Sequence, residues 1–396
     1  VAISDFDDIR PYNDNEVRPV LDRLFRNDEF IGAITRLRFP RLASPLGFAL
    51  RPLVRAVLRH QLVRVRDVHD FQMIVERYVT RMIASTTSSF TVSGLERLNR
   101  KQAYLFVSNH RDIALDPAFV NYSLHHDNHD TVRIAIGDNL LTKDYASDLM
   151  RLNKTFIVKR SVKGPRELLA ALRKLSAYIR HSITVDNHSV WIAQREGRAK
   201  NGVDQTEPAI LKMFALSAGK GVSVGAALVD LKIVPVSISY EYDPCDLMKA
   251  RELYTLATAG SYQKAEGEDI ASIAAGITGI KGDVHLAFGE PLSVLSGNAD
   301  EVAALLDRQI VSNYVLHPSS FFAYKELHGH FPQGEHGEPQ GKYGEHQATF
   351  DAAQLEDHHI EFATRLESCP PEQRPYFLAN YANAIVSKQK LGLLPR

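Results

Sequence analysis

Through the first hundred residues, apolar positions recur at helical spacing. Val17, Leu21, Leu24 and Phe25 fall on one face, and so do Phe71, Ile74, Val75, Tyr78 and Met82, so residues 15–100 are expected to be mainly helix. Pro40, Pro45 and Pro52 are expected to break the intervening stretch into short pieces. From about residue 100 the pattern changes to short apolar runs that alternate with amphipathic stretches. Strands are expected at Tyr104–Ser108, Val132–Ile136, Thr155–Val158, Ser189–Ala193, Ile233–Ser237 and Val284–Phe288. Helices are expected at Pro117–Leu124, Pro165–Arg180, Glu207–Leu216 and Ala299–Tyr314. Repeated βα units of this length predict an α/β fold, a mixed sheet flanked by helices.

Residues 328–348 are rich in His, Gly, Pro, Gln and Glu and predict a polar loop or linker. Helical periodicity returns in Ala352, Leu355, Ile360, Ala363 and Leu366. The expected organisation is an N-terminal helical domain (1–98), an α/β domain (99–327), the loop (328–348) and a C-terminal helical segment (349–396).

The chain has 396 residues and a formal net charge of +0, so no global attraction to nucleic acid is implied, and no nucleic-acid-binding module is recognisable. Locally the balance differs. Between Phe30 and Arg66 there is no Asp or Glu, yet Arg36, Arg38, Arg41, Arg51, Arg55, Arg59, Arg64 and Arg66 fall there. Such a segment suits an anionic membrane surface, an acidic acyl carrier protein, or arginines paired with acids elsewhere in the fold. Cys245 and Cys369 lack metal-ligand spacing, which favours a reducing cytoplasm over a disulfide framework. The acidic start (Asp5, Asp7, Asp8, Asp14, Glu16) is unlike a signal peptide. The longest apolar run, Val222 to Ile238, is interrupted by Asp230, Lys232 and Pro235, short of the roughly 18–20 residues needed to span a bilayer. A soluble or peripheral protein is expected.

Candidate chemistry begins at Ser108-Asn109-His110-Arg111-Asp112, where the first predicted strand of the α/β region ends. A strand tip that presents an imidazole, with Asp112 or Asp116 nearby, is one way to build a general base and its orienting carboxylate. Three later segments add candidates. Lys159 and Arg160 close the Thr155–Val158 run as a candidate phosphate clamp. Trp191-Ile192-Ala193 leads into a turn holding Arg195, Glu196, Gly197, Arg198 and Lys200, where glycine permits close backbone approach. Ile233-Val234-Pro235-Val236-Ser237 places a proline inside a strand, which predicts an edge strand or a bulge shaping a pocket wall. In open α/β sheets, ligand sites collect beyond the carboxyl ends of strands.

Asn-His-(x)-Asp, Phe-Ile-Val-Lys-Arg, Glu-Gly-Arg and Ile-Val-Pro-Val-Ser, in this order over about residues 100–245, resemble the four motif blocks of the glycerolipid acyltransferase superfamily. That family includes glycerol-3-phosphate and lysophosphatidate acyltransferases. Asp116-Pro117-Ala118, Trp191-Ile192-Ala193 and the N-terminal helices resemble the soluble chloroplast type of glycerol-3-phosphate acyltransferase; Glu196-Gly197-Arg198 looks closer to the bacterial and lysophospholipid branches. The resemblance implies a glycerol-3-phosphate acyltransferase-like fold. It implies acyl-CoA or acyl carrier protein as donor, a glycerol phosphate or lysophospholipid acceptor, and no cofactor or metal. His110 would be the base. Arg111, Lys159, Arg160, Arg195, Glu196, Gly197, Arg198, Lys200 and Pro235 would bind substrate.

The family pattern leaves four residues between histidine and aspartate, which would put the acid at Leu115. Here five precede Asp116 and one precedes Asp112. The Asp-Pro-Ala context favours Asp116, with Asp112 as the alternative. A kinase reading of His110-Arg111-Asp112 fails, because position 117 is proline where that loop needs Asn. His125 and His129 stand at helical spacing but lack a recognisable third zinc ligand. A lysophospholipid acyltransferase and a non-catalytic lipid- or carrier-binding module are the rival readings.

Overall fold

The computed structural model describes residues 3–39, 41–42, 44, 46–219, 221–292, 297–332, 340–343, 346–349 and 352–395. Along these residues the strands are β1 (Thr87–Ser93), β2 (Leu105–Ser108), β3 (Arg133–Gly137), β4 (Thr155–Val158), β5 (Val190–Ala193), β6 (Ile233–Tyr240), β7 (Gly282–Phe288), β8 (Gln340–Tyr343) and β9 (His346–Thr349). The chain divides into two compact units, Val1–Thr80 with Arg133–Tyr178, and Arg81–Val132 with Ile179–Arg396.

In the first unit, helices Asp14–Arg26 and Asp28–Arg38 pack around Val17, Leu21, Leu24, Phe25 and Ile31. Their starts are written in the sequence. Glu16 accepts the Asn13 N–H at 2.7 Å, and Asn27 Oδ1 accepts the Phe30 N–H at 2.8 Å, which satisfies amides that a helix leaves unpaired. Asp148 takes two bonds from Arg23 and one from Tyr12, each 2.7 Å, fastening helix Asp144–Leu152. β3 and β4 pair in parallel here.

The second unit carries the sheet order β1-β7-β6-β2-β5. All of these pairings are parallel except β6 with β7. β2 and β6 are buried at every residue, as expected of strands covered on both faces, where apolar runs replace alternation. An aromatic cluster of Phe321, Phe322, Phe362, Phe377 and Tyr381 forms the core of the C-terminal helices, among them Ala352–Glu367 and Arg374–Lys390. No helix among the described residues is long and apolar enough to cross a membrane.

Three expectations need correction. Thr87–Ser93 is a strand although the surrounding residues to 100 read as helix; its Thr, Phe and Val favour extended backbone, and its partner β7 lies far away in sequence. Pro52 does not break the chain, because it sits inside helix Gly47–Gln61; Pro40 and Pro45 fall outside the described residues. Pro235 lies in a central strand. Its carbonyl accepts the Gly289 N–H at 2.7 Å, and β7 pairing begins only at Val236 with Phe288. The missing donor therefore faces the end of a ladder, where it costs little. Within 328–348, residues 333–339 and 344–345 lie outside the described residues, while β8 and β9 pair antiparallel.

Gly94, at the end of β1, has φ +89°, and a Cβ there would fall 1.9 Å from the Phe288 carbonyl oxygen. Gly94→Ala should therefore destabilise the protein by about 3 kcal/mol. Urea unfolding checks this, and an unchanged midpoint would contradict the close approach.

Candidate functional site

At the tip of β2, Asn109 continues the sheet with its side chain. Oδ1 accepts the Ile238 N–H at 2.8 Å, and Nδ2 donates to the Ile238 carbonyl at 3.0 Å and to Asp204 at 3.1 Å. The side-chain amide thus serves the backbone groups of one β6 residue, which pins the next residue, His110. The His110 carbonyl accepts the Ala199 N–H at 2.8 Å, and the Ser108 carbonyl accepts the Gln194 N–H at 2.7 Å. The glycine turn after β5 is thereby tied to the histidine.

His110 Nδ1 lies 2.8 Å from Asp116 Oδ2. That oxygen also accepts the N–H groups of Arg111 at 2.7 Å and Asp112 at 3.0 Å, while Oδ1 accepts the Tyr240 hydroxyl at 2.7 Å. Asp116 is fully buried, and the His110 side chain keeps 15% of its surface exposed, its ring edge-on to Trp191. A carboxylate is an acceptor only, so an Nδ1–H directed at it leaves Nε2 with a free lone pair. That arrangement can take a proton from a bound hydroxyl.

Local structure accommodates the long spacing. Asp116 stands in the first turn of helix Leu115–His126, where side chains lean toward the helix start and hence toward His110. Asp112 occupies the intervening turn, its Oδ1 accepting the Ala114 and Leu115 N–H groups at 2.9 Å each. The extra residue is absorbed in that turn.

The two acids differ sharply. Asp112 Oδ2 is buried without a hydrogen-bond partner, and a Cβ on Gly276 would come within 2.4 Å of it. Burial pushes the Asp112 carboxyl above its ordinary value, and the Asp116 charge adds to this, against the two backbone N–H groups and Arg198.

The predicted cations separate by what they touch. Arg111 turns inward, with Nη2 2.7 Å from Asp204 and 3.2 Å from the Gly202 carbonyl, and its guanidinium 5.2 Å from the Tyr314 ring centroid. Burial opposes its charge, but Asp204 and Tyr314 outweigh that and keep it protonated. Lys200 is held by Glu252. Arg198 donates to Ser272 Oγ at 3.3 Å, and its Nη1 has no hydrogen-bond partner. Burial opposes this charge too, while Cys245, Asp112 and Asp243 together raise its pKa. Arg195 is half-buried, and Glu196 and Gly197 are exposed at the turn, Gly197 with φ +73°. Pro235 is buried in β6 opposite Val107. Lys159 and Arg160 belong to the other compact unit. There Lys159 pairs with Asp8, and the Arg160 N–H bonds Asp138 at 3.1 Å.

The second unit therefore brings together His110, Asp112, Asp116 and Arg198. Tyr240, Asp204, Ser272 and Gly276 complete the surroundings, and none of these stood out from the sequence, because each arrives from a distant segment. Among the described residues, no group of three or more His, Cys, Asp or Glu is placed to hold a metal ion.

Residues 89–239 match the family model described as Acyltransferase. In shape the chain is similar to the crystal structure of the 1-acyl-sn-glycerophosphate (LPA) acyltransferase from Thermotoga maritima. The TM-score is 0.38 at 14% identity, covering 71% of this chain and 94% of that one. No curated protein matches the chain.

An acid lifted by burial stabilises the fold in its protonated form and loses that contribution as pH rises through its folded value. Asp112→Asn should therefore raise Tm at pH 8 by about 1–2 °C, near 1 kcal/mol for a chain of this size. The gain should shrink toward pH 4. Asp116→Asn should lower Tm by a similar or larger amount, because donors matched to a carboxylate lose part of their acceptor. Thermal melts from pH 4 to 8 test both; a less stable Asp112→Asn at pH 8 would contradict the assignment.

Proposed function

We propose that the chain, whose residues 89–239 match the Acyltransferase family model, is an O-acyltransferase of glycerophospholipid synthesis. It moves a fatty acyl group from acyl-CoA or acyl carrier protein to glycerol 3-phosphate or a related glycerophospholipid precursor. The contact that carries this reading is His110 Nδ1 on Asp116 at 2.8 Å, which leaves Nε2 as the base.

In this reaction His110 Nε2 takes the proton of the acceptor hydroxyl as its oxygen attacks the thioester carbonyl. The tetrahedral oxyanion collapses, the C–S bond breaks, and the imidazolium returns the proton to the leaving thiolate. Asp116 holds the ring and stabilises the imidazolium formed in passing. Arg198, whose buried Nη1 has no hydrogen-bond partner in the same unit, holds the acceptor phosphate. Holding both substrates in register supplies much of the rate, since the entropy of bringing two reactants together is large. The Glu196-Gly197-Arg198 turn favours a second acceptor class, a lysophospholipid that already carries one chain.

The same reading puts the enzyme at the cytoplasmic face of an anionic membrane. Helix Gly47–Gln61 buries Val54 and turns Phe48, Ala49, Pro52, Leu53 and Ala56 to solvent, with Phe48 80% and Leu53 55% exposed. An outward face so apolar, flanked by Arg51 and Arg55, suits the interface of a bilayer. Each arginine near such a surface adds about 1 kcal/mol. Arg55 also pairs with Asp28, so not every cation is available to lipid.

Thiol release from acyl thioester in the presence of acceptor tests the reaction. His110→Ala should lose about 10³-fold in kcat, and full activity would remove His110 from the mechanism. Arg198→Glu should raise the acceptor KM about tenfold or more; an unchanged KM would end its phosphate-binding assignment. Side-by-side rates on glycerol 3-phosphate and lysophosphatidate separate the two acceptors, and binding without turnover would point to a non-catalytic module. Vesicle flotation tests the surface. Wild type should bind phosphatidylglycerol vesicles better than phosphatidylcholine, and Phe48→Glu with Leu53→Glu should abolish binding while sparing turnover of water-soluble substrates.

A further inference from the structure

Asp116 is served unevenly. Three donors converge on Oδ2: the His110 ring and the backbone N–H groups of Arg111 and Asp112. Oδ1 receives one, the hydroxyl of Tyr240 at 2.7 Å. The phenol comes from the last residue of β6, 124 residues further along the chain. It is buried, and its ring packs against Phe119, on the same helix as Asp116, at 5.9 Å between centroids. The hydroxyl is thus aimed by packing on the helix that carries its acceptor.

We infer that Tyr240 is a positioning residue for the His110–Asp116 pair, its hydroxyl fixing the Asp116 carboxylate in the orientation that directs the His110 ring. The inference rests on the acyl-transfer reading only for its kinetic consequences. A tyrosine that merely filled the core would need some partner for its hydroxyl. Here the partner is the one oxygen that no local donor serves.

The reason is electrostatic. Asp112 and Asp116 are buried carboxylates a few residues apart, and each disfavours the charge of the other. Asp112 lacks a partner on Oδ2, whereas both Asp116 oxygens are hydrogen-bonded, so the two acids are unequally supplied with donors. Tyr240 sustains that imbalance. Burial raises its own pKa well above the ordinary phenol value, and Asp116 and Asp112 raise it further, so the hydroxyl remains a donor. The charged or titratable groups around this centre include Arg111 beside it, Arg198 from the turn after β5, Asp243, Cys245 and Lys249 from the segment after β6, Lys281 before β7, and Tyr314 after helix Ala299–Asn313. None of these side chains has a hydrogen bond to Asp116. Without the Tyr240 donor the carboxylate is more basic and the imidazolium beside it better stabilised. His110 then holds its proton to higher pH.

The test needs no turnover. The His110 imidazole is followed by NMR in ring-labelled wild type and Tyr240→Phe, with His110→Ala assigning the resonance. The titration midpoint should rise by about one pH unit in Tyr240→Phe, the low end of what one hydrogen bond to a charged group supplies. The acid limb of kcat/KM should move up in parallel, kcat at pH 7 should fall several-fold, and the thioester KM should stay within twofold. In an Asp116→Asn background, Tyr240→Phe should add no further shift. A 3-fluorotyrosine at position 240, a stronger donor of the same shape, should move the midpoint down; it also serves if the phenylalanine variant fails to fold. An unmoved His110 titration in a folded variant overturns the inference, and so does a loss of kcat without a shifted limb. A shifted titration in a wild type that releases no thiol leaves the Tyr240 coupling standing and removes the acyl-transfer reading instead.

Discussion

The site depends on one buried carboxylate and on how its lone pairs are filled. Asp116 has no solvent to stabilise its charge, so that charge persists only because N–H and O–H groups are arranged around it. Two of those groups are backbone amides of the turn it closes, which makes the local conformation and the charge mutually dependent. The histidine ring is a third. Losing the charge would therefore loosen the turn, and loosening the turn would free the ring. Asn109 guards the other side by fixing the residue before His110 to β6 through paired amide contacts.

Neighbouring acids and cations are sorted by the same rule. Asp112 spends one oxygen on the helix start and leaves the other bare beneath Gly276, so burial favours its neutral form, whereas both oxygens of Asp116 have donors. Separating two nearby carboxylates in this way is how one centre acquires one defined negative charge. Among the cations, Arg111 is committed to Asp204 in a buried pair, which is costly to break because it would strand a charge. Its place beside the histidine is structural support rather than spare binding capacity. Arg198 is bonded through one nitrogen, while its buried Nη1 has no hydrogen-bond partner.

Much of this was legible along the chain. The strand that delivers His110, the strands at 155–158 and 190–193 and the start of β6 appear where the apolar runs predict them, because a strand covered on both faces must be apolar throughout. The helix carrying Asp116 begins two residues earlier than expected, a difference within the first turn. Thr87–Ser93 was misread for the complementary reason. Its pairing with β7 outweighs the helical periodicity before it, and no local pattern records a partner nearly two hundred residues away. Pro235 predicts an edge strand or a bulge because proline cannot donate, yet it stands in the middle of the sheet where the neighbouring ladder has run out.

By itself the sequence determined which groups are available and in what order: a histidine at a strand end, two acids within six residues, cations after later strands and an acid-free basic segment. It also determined the helix and strand periods, since these follow from side-chain spacing on a single element. The tertiary structure decided which acid meets the imidazole, which cations are used up internally, and that a tyrosine from the end of β6 completes the carboxylate. Those outcomes depend on burial and on contacts between segments far apart in the chain. Charge, hydrogen bonding and basicity in the interior are properties of the surroundings, and for Asp116 the surroundings exist only once β2, β6 and the helix between them have come together.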